Sequence, residues 1–301
     1  MDTTLSAQMK EFASVFETML DGILSAAIQP GEQARPARLL SAMRYGSLDG
    51  GKRLRPFLLQ ESARIFSKPS KAILRLGASL ECIHCYSLIH DDLPAMDNDN
   101  VRRGRPTVHR AFDEATAILA GDSLLTLAFD IIAAPDTELD ASVKIRLISD
   151  LSRSSGLGGM AGGQALDLDA EISPPDEAGI ILLQAMKTGA LLRFAARAGA
   201  VASGAGESDI ARLTQYGEIV GLAFQIADDL LDITADAATM GKATGKDAAR
   251  GKGTLVSLHG ADWARAKLDA LEAEARHVLA PYGQKAATLN ALAAFIGQRT
   301  N

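Results

Sequence analysis

The chain has 301 residues, 47% of them hydrophobic, enough to bury one large core or two smaller ones. A formal net charge of -6 excludes a general affinity for nucleic acid, so any anion must be met by a local basic pocket. Ala and Leu dominate over β-branched residues, and no regular series of turn-separated strands is found, which predicts an all-α fold of ten or more helices.

The opening residues, MDTTLSAQMKEF, have neither the basic start nor the apolar centre of a secretion signal, so a cytoplasmic protein is expected. Breaks between helices are predicted at PGEQARP (residues 30 to 36) and YGSLDGG (45 to 51). GGKRLRP then places Lys52 and Arg55 three apart, with Pro56 closing the cluster. In SLECIHCYSLIHDD, His84, Ser87 and Asp91 fall at i, i+3 and i+7, so one helical face carries an imidazole toward the carboxylates. Cys82 and Cys85 form a C-x-x-C. A zinc ribbon needs a second ligand pair and a thioredoxin-like motif needs a strand, so both read as core thiols.

DDLPAMD (91 to 97) ends this stretch. Adjacent carboxylates repel by roughly 4 kcal/mol at an effective dielectric of about 20, so such a cluster in apolar sequence needs cations beside it. Pro94 interrupts the helix and lets Asp97 swing back as a further ligand. Asp97 to Asn100 superficially resemble a calcium loop, which fails where Val101 should be a ligand and Arg102 a glycine. Arg102 and Arg103 follow at once. Residues 115 to 134 are the most apolar, but Asp122 and Asp130 break them, and no run of about 18 residues is free of charge, so no membrane span is predicted.

GLGGMAGGQALDL (156 to 168) lacks both common phosphate-loop signatures. Its glycines read as points of close helix approach, with Gln164 and Asp167 facing a cavity. Beyond the break at EISPPDE (171 to 177), Lys187 is the only charge between Glu177 and Arg193. Either it snorkels to the surface, or a substrate phosphate satisfies it with the Thr188 hydroxyl alongside. After ASGAGES (202 to 208), FQIADDLLD gathers Gln225, Asp228, Asp229 and Asp232 within roughly a 100° arc of one helix. Residues 233 to 253 are basic and Gly-rich and read as a mobile flap beside the site. No linker or repeat divides the chain, so a single domain over residues 1–301 is expected. Magnesium favours carboxylates together with substrate phosphates, so the two acidic clusters read as two parts of one magnesium site for a phosphorylated ligand.

In this order, GGKRLRP, the DD-x4-D cluster with its trailing RRGRP, the KTG at Lys187 to Gly189, FQIADDLLD and the GK-rich flap resemble the trans-prenyltransferases, above all bacterial farnesyl diphosphate synthases. The likeness runs from about residue 40 to 260. It implies a helical bundle around a deep central cavity, normally a homodimer, that condenses isopentenyl diphosphate with dimethylallyl or geranyl diphosphate. It also implies roles for individual residues. Asp91, Asp92, Asp97, Asp228, Asp229 and Asp232 would hold about three magnesium ions, or manganese in their place. Arg102, Lys187, Thr188, Gln225 and Lys242 would grip the allylic diphosphate, while Gly51, Lys52, Arg55, His84 and Arg103 would bind isopentenyl diphosphate. Lys252 would close the flap. Tyr86, about 7.5 Å deeper along the helix than Asp91, would set product length with Ser87 beside it. A fifteen-carbon product follows from the bulk of Tyr86, with a geranylgeranyl diphosphate synthase as the alternative. A class I terpene cyclase would not need the second diphosphate pocket of Lys52 and Arg55. A non-catalytic subunit would not need both acidic clusters, and a phosphohydrolase would release phosphate without forming a carbon-carbon bond.

Overall fold

Met9, Phe12, Phe16 and Leu20 are buried at three- and four-residue intervals, which is the signature of a helix with one face in a core, and they lie on α1 (Thr3–Ile23). The computed structural model describes residues 3–48, 50–238 and 253–298. The helices that follow are α2 (Ala37–Ser47), α3 (Leu54–Arg64), α4 (Lys71–Asp91), α5 (Val108–Ala111), α6 (Glu114–Ala133) and α7 (Ala141–Ser155). They continue with α8 (Met160–Ile172), α9 (Glu177–Gln184), a π-helical turn (Ala185–Gly189), α10 (Ala190–Ala202) and α11 (Glu207–Ala238). The last described are α12 (Leu255–His259), α13 (Ala261–Leu279), a 3-10 segment (Ala280–Ala286) and α14 (Ala287–Gly297). The all-α reading therefore holds. The side-chain oxygens of Ser70, Asp113 and Asp176 cap α4, α6 and α9, each accepting a backbone N–H three residues on. Each such cap stabilises its helix by about 1 kcal/mol.

Two compact units are distinguished; three of their four boundaries fall inside α1, α3 and α7, and the fourth falls between residues 68 and 69, in the connection from α3 to α4. One comprises residues 6–60 and 69–148. Its centre is the long packing of α4 along α6, pinned where the Ser79 hydroxyl donates to the Ala128 carbonyl at 2.6 Å. Phe12 stacks on Phe16 and meets Phe57 edge-on, closing the α1 side of this core. Cys82 and Cys85 are buried free thiols. Burial, then the charge of Glu81, pushes Cys85 up to about 12, so it stays a protonated core residue as its sequence context predicts.

The other unit comprises residues 1–5, 61–68 and 149–301. Here α10, α11, α13 and α14 enclose Tyr216, which is fully buried and donates its hydroxyl proton to the Leu289 carbonyl at 2.7 Å. Helix α11 continues to Ala238, past the break predicted at residue 233, because ITADAA offers no helix breaker.

The expectation of no membrane span needs qualification. Lys71–Asp91, Glu114–Ala133 and Glu177–Ala202 are each long and apolar enough to cross a membrane by length and composition. Charges at Arg75 and Glu81, Asp122, and Lys187 and Arg193 interrupt them. Packing explains the hydropathy of the first, two thirds of whose apolar window is buried against its neighbours.

Candidate active site

At the end of α4 the chain turns back on itself. The Asp97 N–H donates to the Asp91 carbonyl at 2.8 Å, and the Asp99 N–H donates to the Asp92 carbonyl at 3.2 Å. Asp97 thus returns to the helix end, the behaviour expected of a chain stopped by Pro94. Asn98 absorbs the reversal with a left-handed φ of 52°, which asparagine tolerates better than most residues. Asp92 is only 3% exposed, and Arg102 clasps both of its oxygens from Nε at 2.9 and 3.0 Å. Burial holds the Asp92 carboxyl above the usual carboxylate range, against the pull of Arg102. Asp91 and Asp97 are half-buried.

Arg102 is placed by a feature not expected from sequence, a two-stranded hairpin pairing Val101–Arg102 with Arg105–Pro106. Its turn residues, Arg103 and Gly104, both have positive φ, 52° and 74°, which matches the twist of a two-residue hairpin. This turn carries the Arg103 guanidinium over Gly50 and Gly51. A Cβ on Gly51 would come within 3.0 Å of the guanidinium, which would have to shift, and the residue's own φ of 85° is one that glycine adopts without strain. Arg55 reaches His84 from α3, with Nη1 at 3.4 Å from the imidazole Nε2. Burial, followed by the positive fields of Arg55, Arg103, Arg102 and Arg53, pushes the His84 pKa well below its usual value. The imidazole is therefore neutral at pH 7, and Nε2 accepts from Arg55. Lys52 is exposed on the same loop.

Beneath that loop lies a residue the sequence reading overlooked. Arg53 is 3% exposed with φ of 48°, and it bonds Glu81 at 2.7 Å, Glu17 at 2.8 Å and the Ser47 carbonyl at 2.6 Å. Burial opposes its charge, and Glu81 and Glu17 outweigh burial, so its pKa is raised. The anchored guanidinium fixes the backbone between Lys52 and Arg55.

In the other unit, the π-helical turn presents Lys187 and Thr188. Such bulges recur where a helix must re-aim functional side chains. Lys187 neither snorkels nor lacks a partner, because Nζ bonds Asp167 of α8 at 2.7 Å. Gly163 of α8 permits this pairing. A side chain there would collide with the Lys187 backbone, so the expectation of close helix approach holds at Gly163, whereas Gly156 and Gly159 meet only the chain just before them and Gly158 faces open space. The Thr188 hydroxyl donates to Gln225 Oε1 at 2.9 Å, and Gln225 Nε2 donates to Asp229 Oδ1 at 2.8 Å. Gln184 Nε2 donates to Asp229 Oδ2 at 2.9 Å. Asp229 is buried within this network, whereas Asp228 is half-exposed and Asp232 exposed. The Gln164 amide is buried with neither Oε1 nor Nε2 hydrogen-bonded, a cost that a polar ligand or water would relieve.

The family model described as polyprenyl synthetase matches residues 36–291, covering both acidic clusters, the cationic loop and the π turn. The chain belongs to the polyprenyl synthetase family. It is 46% identical over 266 residues to a farnesyl diphosphate synthase of Escherichia coli (strain K12), covering 87% of this chain and 89% of that one. It is 39% identical over 270 residues to a geranylgeranyl diphosphate synthase of Cyanophora paradoxa, covering 89% and 90%. Among solved structures, an apo FPP/GFPP synthase from Zymomonas mobilis superposes with a TM-score of 0.87 at 41% identity, covering 99% of this chain and all of that one.

In this polyprenyl synthetase neither acidic cluster is a preformed cage. Among the described residues no three metal-ligating side chains converge. The physical reason is the engagement of Asp92 by Arg102 and of Asp229 by two glutamines, together with the mutual repulsion of the carboxylates. The oxygen-only donor set nevertheless fits magnesium, which completes its shell with water and phosphate oxygens. Ser87 donates its hydroxyl proton to the His84 carbonyl at 2.9 Å, and Tyr86 is half-buried on the same helix. The sequence-predicted Lys242 and Lys252 lie outside the described residues.

Proposed function

We propose that this polyprenyl synthetase condenses isopentenyl diphosphate head to tail with an allylic diphosphate, dimethylallyl or geranyl, and releases farnesyl diphosphate and diphosphate. The observation that carries this reading is the cationic pocket of Arg55, Arg103 and neutral His84, supported from below by Arg53 and bordered by the Asp92-Arg102 pair. Arg53 and Arg102 are paired with carboxylates, and the further positive charge of Arg55 and Arg103 beside a neutral imidazole suits a polyanion. A polyanion pocket beside a carboxylate cluster supports two diphosphates held in different ways, and hence condensation rather than hydrolysis or cyclisation.

The two acidic clusters are proposed to act on one allylic diphosphate. Asp91, Asp92, Asp97, Asp228, Asp229 and Asp232 would hold magnesium, which when bound neutralises the departing diphosphate. Arg102, Lys187, Thr188 and Gln225 add fixed donors to that leaving group. Heterolysis of the allylic carbon-oxygen bond leaves the electron pair on diphosphate and a cation on carbon. The double bond of isopentenyl diphosphate supplies the pair for the new carbon-carbon bond, and a proton then leaves, with the released diphosphate as its acceptor. Apolar walls keep water from the cation. Tyr86 is proposed as the floor of the product cavity, which favours fifteen carbons over the twenty of a geranylgeranyl synthase. Burial, then the charge of Asp91, raises its phenol pKa, so the floor is an un-ionised ring.

A single domain, a homodimer and a cytoplasmic location complete the proposal. The three unit boundaries that cut through helices support the first. Exposed Ile118 and Leu119 on the apolar α6 support the second, and the buried free thiols support the third.

Calorimetry with isopentenyl diphosphate tests the pocket assignment. Binding is expected to persist with magnesium chelated and to weaken roughly 10- to 100-fold in Arg55→Gln, the loss of one charge-assisted contact. Magnesium-dependent binding that is indifferent to Arg55→Gln would contradict the assignment.

A further inference from the structure

The chemistry above leaves one side chain of α4 without a task. His90 lies one turn beyond Tyr86, and the two rings meet edge-on, with centroids 5.8 Å apart and planes at 74°. The imidazole is itself held from the facing helix, where Nε2 lies 3.0 Å from the Ile118 carbonyl oxygen of α6. A carbonyl only accepts, so Nε2 carries the proton in this contact. Gly121, also on α6, makes the space, because a Cβ built there would collide with the imidazole ring. Gly121 thus leaves room for the imidazole, the Ile118 carbonyl holds it there, and its ring lies against Tyr86.

We propose that His90 is a positioning residue for product length, holding the Tyr86 ring in the orientation that closes the product cavity, with the Ile118 carbonyl as its anchor and Gly121 as its seat. This rests on the reading of Tyr86 as the cavity floor. A phenol ring turns about two side-chain torsions, and it blocks an apolar channel only in the rotamer that lies across it. An edge-on aromatic neighbour favours one ring orientation over the others. Without that neighbour the phenol swings aside for part of the time, and a further five-carbon unit is added before release.

The test compares product distributions from geranyl diphosphate and isopentenyl diphosphate for wild type, His90→Ala, Gly121→Ala, Tyr86→Ala and the double variant Tyr86→Ala/His90→Ala. Gly121→Ala displaces the imidazole without altering α4, and alanine inside a helix is favoured over glycine, so folding is not compromised by backbone propensity. The ratio of twenty-carbon to fifteen-carbon product is expected to rise roughly two- to tenfold in His90→Ala and in Gly121→Ala, the range an aromatic edge contact spans. A larger rise is expected in Tyr86→Ala, and the double variant should match it. Wild-type ratios in both His90→Ala and Gly121→Ala, beside a lengthened product in Tyr86→Ala, overturn the role of His90 and leave the floor intact. An unchanged ratio in Tyr86→Ala removes the floor itself. Additive lengthening in the double variant overturns the inference too, since His90 would then act apart from Tyr86.

Discussion

Asp91→Ala and Asp228→Ala are each expected to lower turnover by roughly three orders of magnitude while the far-ultraviolet circular dichroism stays that of a helical protein. Asp91 ends α4 and Asp228 lies on the polar arc of α11, and neither is fully buried, so replacing either with a smaller side chain leaves no large cavity. The loss falls on the chemistry instead. Ionisation of an allylic diphosphate places growing negative charge on the leaving group, and fixed stabilisation of developing charge contributes about 3 to 4 kcal/mol per contributor, a factor of 10² to 10³ in rate. A carboxylate that recruits a divalent cation belongs at the upper end. Steady-state rates at saturating magnesium check this, and wild-type rates in both variants would remove the metal assignment.

The second large effect is structural. Arg53→Met should destabilise the fold by about 3 to 5 kcal/mol, the usual consequence of removing one member of a buried ion pair and leaving the other charged. Glu81, only 3% exposed, loses its partner at 2.7 Å, and Glu17 and the Ser47 carbonyl lose theirs as well. Melting should fall by roughly 10 °C at the few degrees per kcal/mol typical of larger domains. Below the melting transition, affinity for isopentenyl diphosphate should also drop, because the chain between Lys52 and Arg55, the latter on α3, turns at the left-handed φ of Arg53. An unchanged melting temperature would show that the pair carries no net stability.

Arg53 also marks a limit of sequence reading. Its partners Glu17 and Glu81 lie 36 and 28 residues away, and no local pattern announces a bond of that separation. The pairing of Lys187 with Asp167 across 20 residues is hidden for the same reason, although both residues draw notice singly. The π-helical turn at Ala185–Gly189 is one extra residue in an otherwise regular helix, and residue propensities carry no signal for it. The hairpin at Val101–Arg102 and Arg105–Pro106 is too short for any alternation to register. By contrast, the return of Asp97 to the helix end was legible because proline has a single steric consequence, and the arc of Gln225, Asp228, Asp229 and Asp232 because helical periodicity is fixed. The division of labour among those carboxylates was not. The bonds of Arg102 to Asp92, and of Gln184 to Asp229 alongside Gln225, join residues on different elements, too far apart in sequence for any local pattern to announce.

The central claim is that two diphosphates are joined through carbon, and one incubation tests it most directly. Purified protein with magnesium, isopentenyl diphosphate and geranyl diphosphate should form farnesyl diphosphate and one diphosphate per carbon-carbon bond, and chelation of the metal should stop the reaction. Diphosphate or phosphate released from geranyl diphosphate at the same rate without isopentenyl diphosphate, with no lengthened product, would contradict the account.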